Sequence, residues 1–446
     1  MGLMLFLTGA IVGVFTAQDL LLFYAFFEAM LIPLYVLVGV WGGPNRVSAT
    51  LKFVIYTMAG SLLMLASIVV LGLSQGTFDL VDSGTSSSNW IFLGFVAAFV
   101  VKAPLFPFHG WLPDAYRESP PEVAAVLSGV ISKAAAYGFL RIAIGKFPGP
   151  TDDFRVAILV LAAIGLVYGS LLAFRAPDIR GVIAYSSLAQ LGLITFGLFA
   201  ANDLGFNGAV LQMVNHGLIS AALFMLAGLV ELRTGTGLFS QLGGMARGRP
   251  ALATLLMTAG MIALAVPLST TFAGEFLILA GVFQQGWIWA VIGAVAIVLA
   301  ALYVLRLISA VLHEEVGPAV LVGDERDLRL SELSVVGPLV LGLLALSVWP
   351  AGITDRAFAA NRPQRAVQTE LAGTESAAPA PTAPAAPSAA PKPAASGRTV
   401  FEVLSSDCRA ALRDPGVQAQ VRGAADVVCS DSSGSWTIRN GKVTRR

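Results

Sequence analysis

A succession of apolar runs, each roughly 20 residues long, fills about the first 350 positions and dictates what this chain can fold into. Each run matches the hydrocarbon core of a bilayer, about 30 Å thick, where backbone N–H and C=O groups must be satisfied inside the segment. Helices meet that demand. Composition agrees, with 56% of the 446 residues hydrophobic and 12% charged, about half the charged share of a soluble domain. The runs read as about eleven spans, near 1–17, 20–41, 50–74, 90–112, 121–146, 155–174, 179–200, 206–232, 250–284, 287–312 and 331–350. Met1 opens directly into an apolar run, without the basic region or cleavage site of a secretory leader, so it is read as a span.

Alternation with Met1 inside gathers Arg46, Lys52, Arg117, Arg175, Arg180, Arg233, Arg247, Arg249, Arg306, Arg326 and Arg329 on the inner loops, and only Lys146 and Arg155 on the outer ones. That bias, roughly eleven to two, sets the orientation and makes the C-terminal tail extracytoplasmic. The basic residues form no stripe, which excludes nucleic acid as a partner and leaves the lipid bilayer. No CxxC, HExxH, GxGxxG or GxxxxGK[ST] pattern occurs, so this chain is expected to bind no metal, cofactor or nucleotide.

Two spans carry prolines that a lipid-facing helix avoids. The fourth has Pro104 and Pro107, and the ninth has Pro267 before Ser269-Thr270-Thr271. Proline frees backbone carbonyls, which a membrane tolerates only where protein or water satisfies them. The breaks are five spans apart, an odd number, so the five-span units that hold them are inverted relative to each other. Paired broken helices in inverted halves mark secondary transporters. The expectation is an all-α polytopic membrane protein with a transmembrane domain over 1–355. It comprises inverted five-helix repeats at about 1–146 and 154–313 and a last span near 331–350. An Ala/Pro-rich linker follows at 356–397, then a tail module at 398–446 without an assigned role. There Cys408 and Cys429 are either a disulfide or two free thiols.

A charge at mid-bilayer costs about 2.5–3.5 kcal/mol even on the lenient insertion scale, so buried charges are functional candidates. Glu28 lies mid-span in LLLFYAFFEAMLIPLY, Lys102 just before the first break in AAFVVKAPLFPF, and Lys133 in LSGVISKAAAYGFLRI. Glu275 follows the second break in LSTTFAGEFLILAG, and His216 sits inside QMVNHGLISAALF. Opposite charges about 4 Å apart attract by about 4 kcal/mol at an effective dielectric near 20. Glu28 and Lys102 are therefore expected to form a switchable pair, with Lys133 and His216 as relays and Glu275 exchanging protons beside the second break. Each has a plainer alternative. Glu28 can be a carboxyl kept neutral by burial, Lys102 can snorkel, Lys133 can bond a carbonyl, His216 can be satisfied by Asn215, and Glu275 can neutralise helix N–H groups.

These stretches resemble the antiporter-like membrane subunits of respiratory complex I, and within them the subunit M branch of the bacterial NADH:quinone oxidoreductase. AQDLLLFYAFFEAMLIPLY, VKAPLFPFHGWLPDAYRESPPEVAAVLSGVISKAAAYGFLRI, DIRGVIAYSSLAQLG, MVNHGLISAALFMLAG and FAGEFLILAG carry the resemblance. It implies that Glu28 and Lys102 are a control pair, Lys133 the central relay, His216 part of a connecting water chain, and Glu275 the terminal proton carrier. It further implies a place in the bacterial inner membrane among other membrane and peripheral subunits, some carrying FMN, iron–sulphur clusters and quinone. A cation/proton antiporter, a membrane-bound hydrogenase and a scaffold acting through its tail are the competing readings. Three departures stand out. The resemblance implies about fourteen spans rather than eleven, Gln190 stands where many such subunits have a histidine, and PLSTTF replaces a Pro-Gly-rich break.

Overall fold

Polar caps punctuate the apolar helices and set where each one starts. After α1 (Gly2–Thr16), the Asp19 carboxylate accepts from the Leu22 N–H at 2.9 Å and opens α2 (Leu20–Ala29), which runs on as α3 (Leu31–Trp41). Helix α4 (Arg46–Gln75) ends at Gly76, whose φ of 73° is a left-handed terminus that glycine adopts without a Cβ penalty. Ser88 caps α5 (Asn89–Lys102). The computed structural model describes residues 1–81 and 83–353, and in the tail 400–404, 426–431, 434–439 and 442–445. The expected linker at 356–397 and Cys408 lie outside the described residues.

The first break occupies 103–111, between α5 and the short α6 (Leu112–Glu118). The Trp111 indole donates to the Val101 carbonyl at 2.9 Å, so the carbonyl left free at the end of α5 is satisfied by protein. Next, α7 (Pro121–Val126), a π-helical stretch over Leu127–Ile131, α8 (Ser132–Gly138) and a second π-helical stretch over Phe139–Ile144 make one continuous apolar span. The long helices α9 (Pro148–Arg175), α10 (Ile179–Leu198) and α11 (Asp203–Thr234) follow, the last two capped by Asp178 and Asn202. Helix α12 (Pro250–Ala263) leads to the second break, and Ser269 caps α13 (Thr270–Phe283) beyond it. Ala265 and Leu268 in this break hold φ values of 56° and 75°. Residues with a Cβ occupy that region at a cost of order 1–3 kcal/mol each, which a glycine-bearing break would avoid. Helix α14 (Trp287–Ile308), α15 (Pro318–Val322) and α16 (Leu330–Val348) complete the membrane unit.

Eight helices among the described residues are long and apolar enough to cross a membrane, and four shorter apolar ones accompany them. Each expected span holds apolar helix; the spans near 90–112 and 250–284 are interrupted at the two breaks, and those near 20–41 and 121–146 are built of successive helical stretches. The span holding α10 is 89% buried inside the protein, that of α7–α8 is 78% buried, and that of α16 only 17%. The protein interior thus lies around α7, α8, α10 and α11, while Ile55, Leu73 and Val298 face outward as lipid-facing side chains do. Ion pairs at the helix ends tie these elements. Arg117 meets Asp178 at 2.9 Å, Arg180 meets Glu231 at 2.6 Å, and Arg233 meets Glu332 at 2.6 Å.

The chain divides into two units, Met1–Leu371 and Ala372–Arg446. In the second, β1 (Val400–Leu404), β2 (Asp426–Asp431), β3 (Gly434–Arg439) and β4 (Lys442–Arg445) form one sheet in that order. The β1–β2 pairing is parallel and the others antiparallel.

Candidate proton-transfer site

Lys133 and His216 meet across the helix interface at the centre of the membrane unit. Lys133 Nζ reaches the Ser128 carbonyl at 2.5 Å, Ser132 Oγ at 3.3 Å and His216 Nδ1 at 2.7 Å. These are three acceptors for the three protons of an ammonium, which is what a buried cation requires. Ser128 lies within the first π-helical stretch and Ser132 where it passes into α8, and such stretches recur at functional sites because they widen the backbone ladder. The helices approach closely because both contact points are glycines. A Cβ on Gly217 would sit 2.7 Å from the Gly129 carbonyl, and any larger residue would push α11 and its histidine away.

With Nδ1 accepting from Lys133, a neutral His216 carries its proton on Nε2. That nitrogen is buried without a hydrogen-bond partner, and so is Thr271 Oγ1. Both residues line a cavity of about 30 Å³ together with Gln190, Gln212, Ser220 and Tyr303. A water needs about 10–15 Å³ of such space and two to four polar partners, so the cavity is roomy and polar enough to hold water. The imidazole can therefore take a proton from Lys133 on one nitrogen and release one from the other toward the cavity.

Beyond the cavity, Glu275 is held by amides. Its Oε1 accepts from Gln190 Nε2 at 3.0 Å, and Gln190 Oε1 accepts from Gln212 Nε2 at 2.8 Å. Gln212 Oε1 in turn accepts from Asn215 Nδ2 at 3.3 Å. Asn215 also donates to the Thr270 carbonyl at 2.9 Å and accepts from Thr270 Oγ1 at 2.8 Å. Gln190 is thus the direct partner of Glu275. Tyr303 on α14 also stands against Glu275 and Gln190.

Lys102, at the end of α5, donates to the Phe27 carbonyl at 3.0 Å and sits 3.7 Å from the centre of the Phe27 ring. A desolvated cation over an aromatic face gains about 0.5–2 kcal/mol. Phe23, Phe27, Phe95, Phe99 and Phe139 form a continuous run of ring contacts beside it. Glu28 is half-buried, and its Oε2 has no hydrogen-bond partner. None of the ion pairs within 4.0 Å among the described residues joins it to Lys102.

The structure therefore brings Lys133 to His216 and Glu275 to Gln190, and leaves Glu28 and Lys102 apart as an ion pair. Lys102, Lys133, His216 and Glu275 are each no more than 4% exposed. The alternative in which Asn215 satisfies His216 is not what the structure holds, since Asn215 serves Gln212 and Thr270. Lys133 does bond a carbonyl, and bonds the histidine as well. Sequence reasoning missed Gln212 and Tyr303. The first left a signal, because Gln212, Asn215, His216 and Ser220 repeat at helical spacing on one polar stripe of an otherwise apolar helix.

A family model described as "NADH:quinone oxidoreductase/Mrp antiporter, TM" matches residues 17–300, well over half of the chain. The chain belongs to this family. Among individual members, the NADH-quinone oxidoreductase subunit M of Rickettsia prowazekii (strain Madrid E) is 36% identical over 351 residues, covering 77% of this chain and 71% of the relative. Subunit M of Mycobacterium tuberculosis (strain ATCC 25618 / H37Rv) is 40% identical over 358 residues, covering 76% and 64%. A chain of the respiratory complex I from Thermus thermophilus with bound NADH superposes with a TM-score of 0.75 at 34% identity, over 79% of this chain and 76% of that one. Membership agrees with the fold, and this family member is a multi-pass membrane protein. Among its described residues no group of three or more His, Cys, Asp or Glu is placed to hold a metal ion.

Proposed function

We propose that this chain is a proton-translocating membrane subunit of an NADH:quinone oxidoreductase in a bacterial inner membrane. The observation that carries the reading is the 2.7 Å contact between Lys133 Nζ and His216 Nδ1, two buried proton carriers in direct exchange distance. Lys102 supplies the entry side at one helix break, and Glu275 the exit side at the other, within two inverted five-helix units. Glu28 acts on Lys102 through its field and becomes a true counter-ion only when the helices move together. Partner subunits carry the FMN, iron–sulphur clusters and quinone, and their redox reaction supplies the driving force. This chain moves protons and binds no redox centre, and its tail lies outside the cytoplasm.

The relatives named above favour this reading over a cation/proton antiporter or a tail-mediated scaffold. The test is Lys133→Leu in the assembled complex in proteoliposomes, with electron transfer and proton uptake measured together. Protons moved per electron should fall while NADH oxidation continues, and undiminished pumping would overturn the proposal. Lys102→Arg should also fail to pump, because guanidinium keeps its proton at physiological pH. Flavin and iron–sulphur absorbance in the purified assembly separates this reading from the antiporter, which would show neither.

A further inference from the structure

The hydrogen-bonded row between Glu275 and the second helix break has a direction. Starting at Thr270, each side chain donates toward the carboxylate: Thr270 Oγ1 to Asn215, Asn215 to Gln212, Gln212 to Gln190, and Gln190 to Glu275. All five residues are buried, with exposures between 0 and 8%. Aligned dipoles polarise one another and favour a negative charge at the end they point to. The far end is the first turn of α13, whose Thr270 N–H is itself held by Ser347 Oγ of α16 at 3.0 Å.

Amides carry no net proton along such a row, because the nitrogen donates but does not accept. They can transmit orientation. We infer that Gln190, Gln212 and Asn215 form a latch that couples the charge on Glu275 to the helix break at 264–269, so that a proton arriving on Glu275 releases the first turn of α13. The inference rests on Glu275 being a proton carrier, as proposed above.

The sequence of events follows from donor and acceptor counting. A Glu275 protonated on Oε1, the oxygen that Gln190 faces, donates from that O–H, so Gln190 turns its carbonyl oxygen toward it and its NH₂ toward Gln212. Gln212 then presents its oxygen to Gln190 and its NH₂ to Asn215. Asn215 must accept with Oδ1 on that side, which turns its NH₂ toward Thr270 Oγ1. The Thr270 carbonyl loses the Asn215 donor and faces an oxygen. It keeps its bond within α13, but two buried oxygens in contact repel, so α13 separates from α11 at this point. The break is ready to respond, because Ala265 and Leu268 are already in the left-handed region and regain ordinary φ when it opens. Of the titratable groups around Glu275, Tyr303 comes from α14 and His216 from α11. On α10, Arg180 is paired with Glu231 and Tyr185 is stacked on Arg117. Helix α12 carries no titratable side chain, and Glu332 of α16 lies in the first turn, bonded to Arg233.

The experiment places a spin label at Leu268→Cys, which is 91% exposed, with Cys408→Ser and Cys429→Ser, in the assembled complex. Label mobility is followed against pH alongside the infrared carboxyl band of Glu275. The wild-type background should show mobility changing with the same midpoint as the carboxyl band, and Glu275→Gln should fix it. Gln212→Met keeps the volume and removes the bonds, and should abolish the mobility change while the carboxyl band still titrates. Thr270→Val, which removes a single hydroxyl, should do the same and serves if Gln212→Met does not assemble. Mobility that still follows the carboxyl band in either variant overturns the latch. Glu275→Gln with undiminished pumping would instead remove the proton-carrier reading on which the latch rests.

Discussion

The two helix breaks hold opposite charges in opposite kinds of surroundings. At the first, Lys102 meets a single carbonyl, a phenylalanine ring and further aromatic rings beyond it. At the second, Glu275 meets a row of amides that runs back to the break itself. An aromatic lining stabilises a cation weakly and does not depend on which way any group points, so the lysine is free to respond to Glu28. An amide row stabilises an anion more strongly and depends entirely on orientation, so whatever happens to the glutamate is felt at its hinge. Between them, Lys133 and His216 are joined directly, and His216 lines a small polar cavity with Gln190, the partner of Glu275.

Removing either end charge should produce the largest effects. Lys102→Met and Glu275→Gln should each abolish most proton uptake by the reconstituted complex while NADH oxidation persists. A variant that pumps normally would show that its half of the molecule is dispensable. A smaller loss is expected for Gln190→Met, which deletes the donor to Glu275. Hydrogen bonds to charged groups are worth about 1.5–3 kcal/mol, so pumping should slow roughly tenfold or more. Phe27→Leu should cost less, within the about 0.5–2 kcal/mol of a cation–π contact, and slow pumping by a few-fold. Equal losses from Gln190→Met and Phe27→Leu would erase the contrast between the two breaks.

The smallest effect belongs to the rim. Asp327 lies on the loop before α16, where burial pushes its carboxyl up. The N–H groups of Ala251, Leu252 and Leu328, with the Arg233 charge, outweigh that and hold it below the usual carboxylate range. A depressed carboxyl contributes stability that is present above its unfolded pKa and is lost as pH falls through the folded value. Asp327→Asn should therefore lower the melting temperature at neutral pH, by an amount equivalent to about 1 kcal/mol as for a lost helix cap. The difference from wild type should shrink in acid, and thermal unfolding in detergent across pH 3–8 (roughly, from the reference carboxylate values) checks it.

Much of this protein could be read from its residues because the bilayer leaves so few options. Runs of apolar residues of spanning length had to be helices, Pro104 and Pro267 had to interrupt them, and Lys102, Lys133 and Glu275 were conspicuous because charge is so rare in that medium. The positions of the breaks also followed, since proline and polar clusters act locally. Partnership did not follow. Nothing in the spacing of Lys133 and His216, 83 residues apart, says that Gly129 and Gly217 let their helices close to hydrogen-bonding distance. Gln190 stands where many such subunits have a histidine, yet the packing of α10 against α13 makes it the residue that holds Glu275. Glu28 and Lys102 looked like a natural pair, yet the lysine reaches the carbonyl of the neighbouring Phe27. The sequence determined which segments cross the membrane and which side chains have to be satisfied there, because those are local costs paid by each helix. Only the tertiary structure decided which partner satisfies each of them, because that depends on helix rotation and approach, set by side-chain packing over the whole bundle.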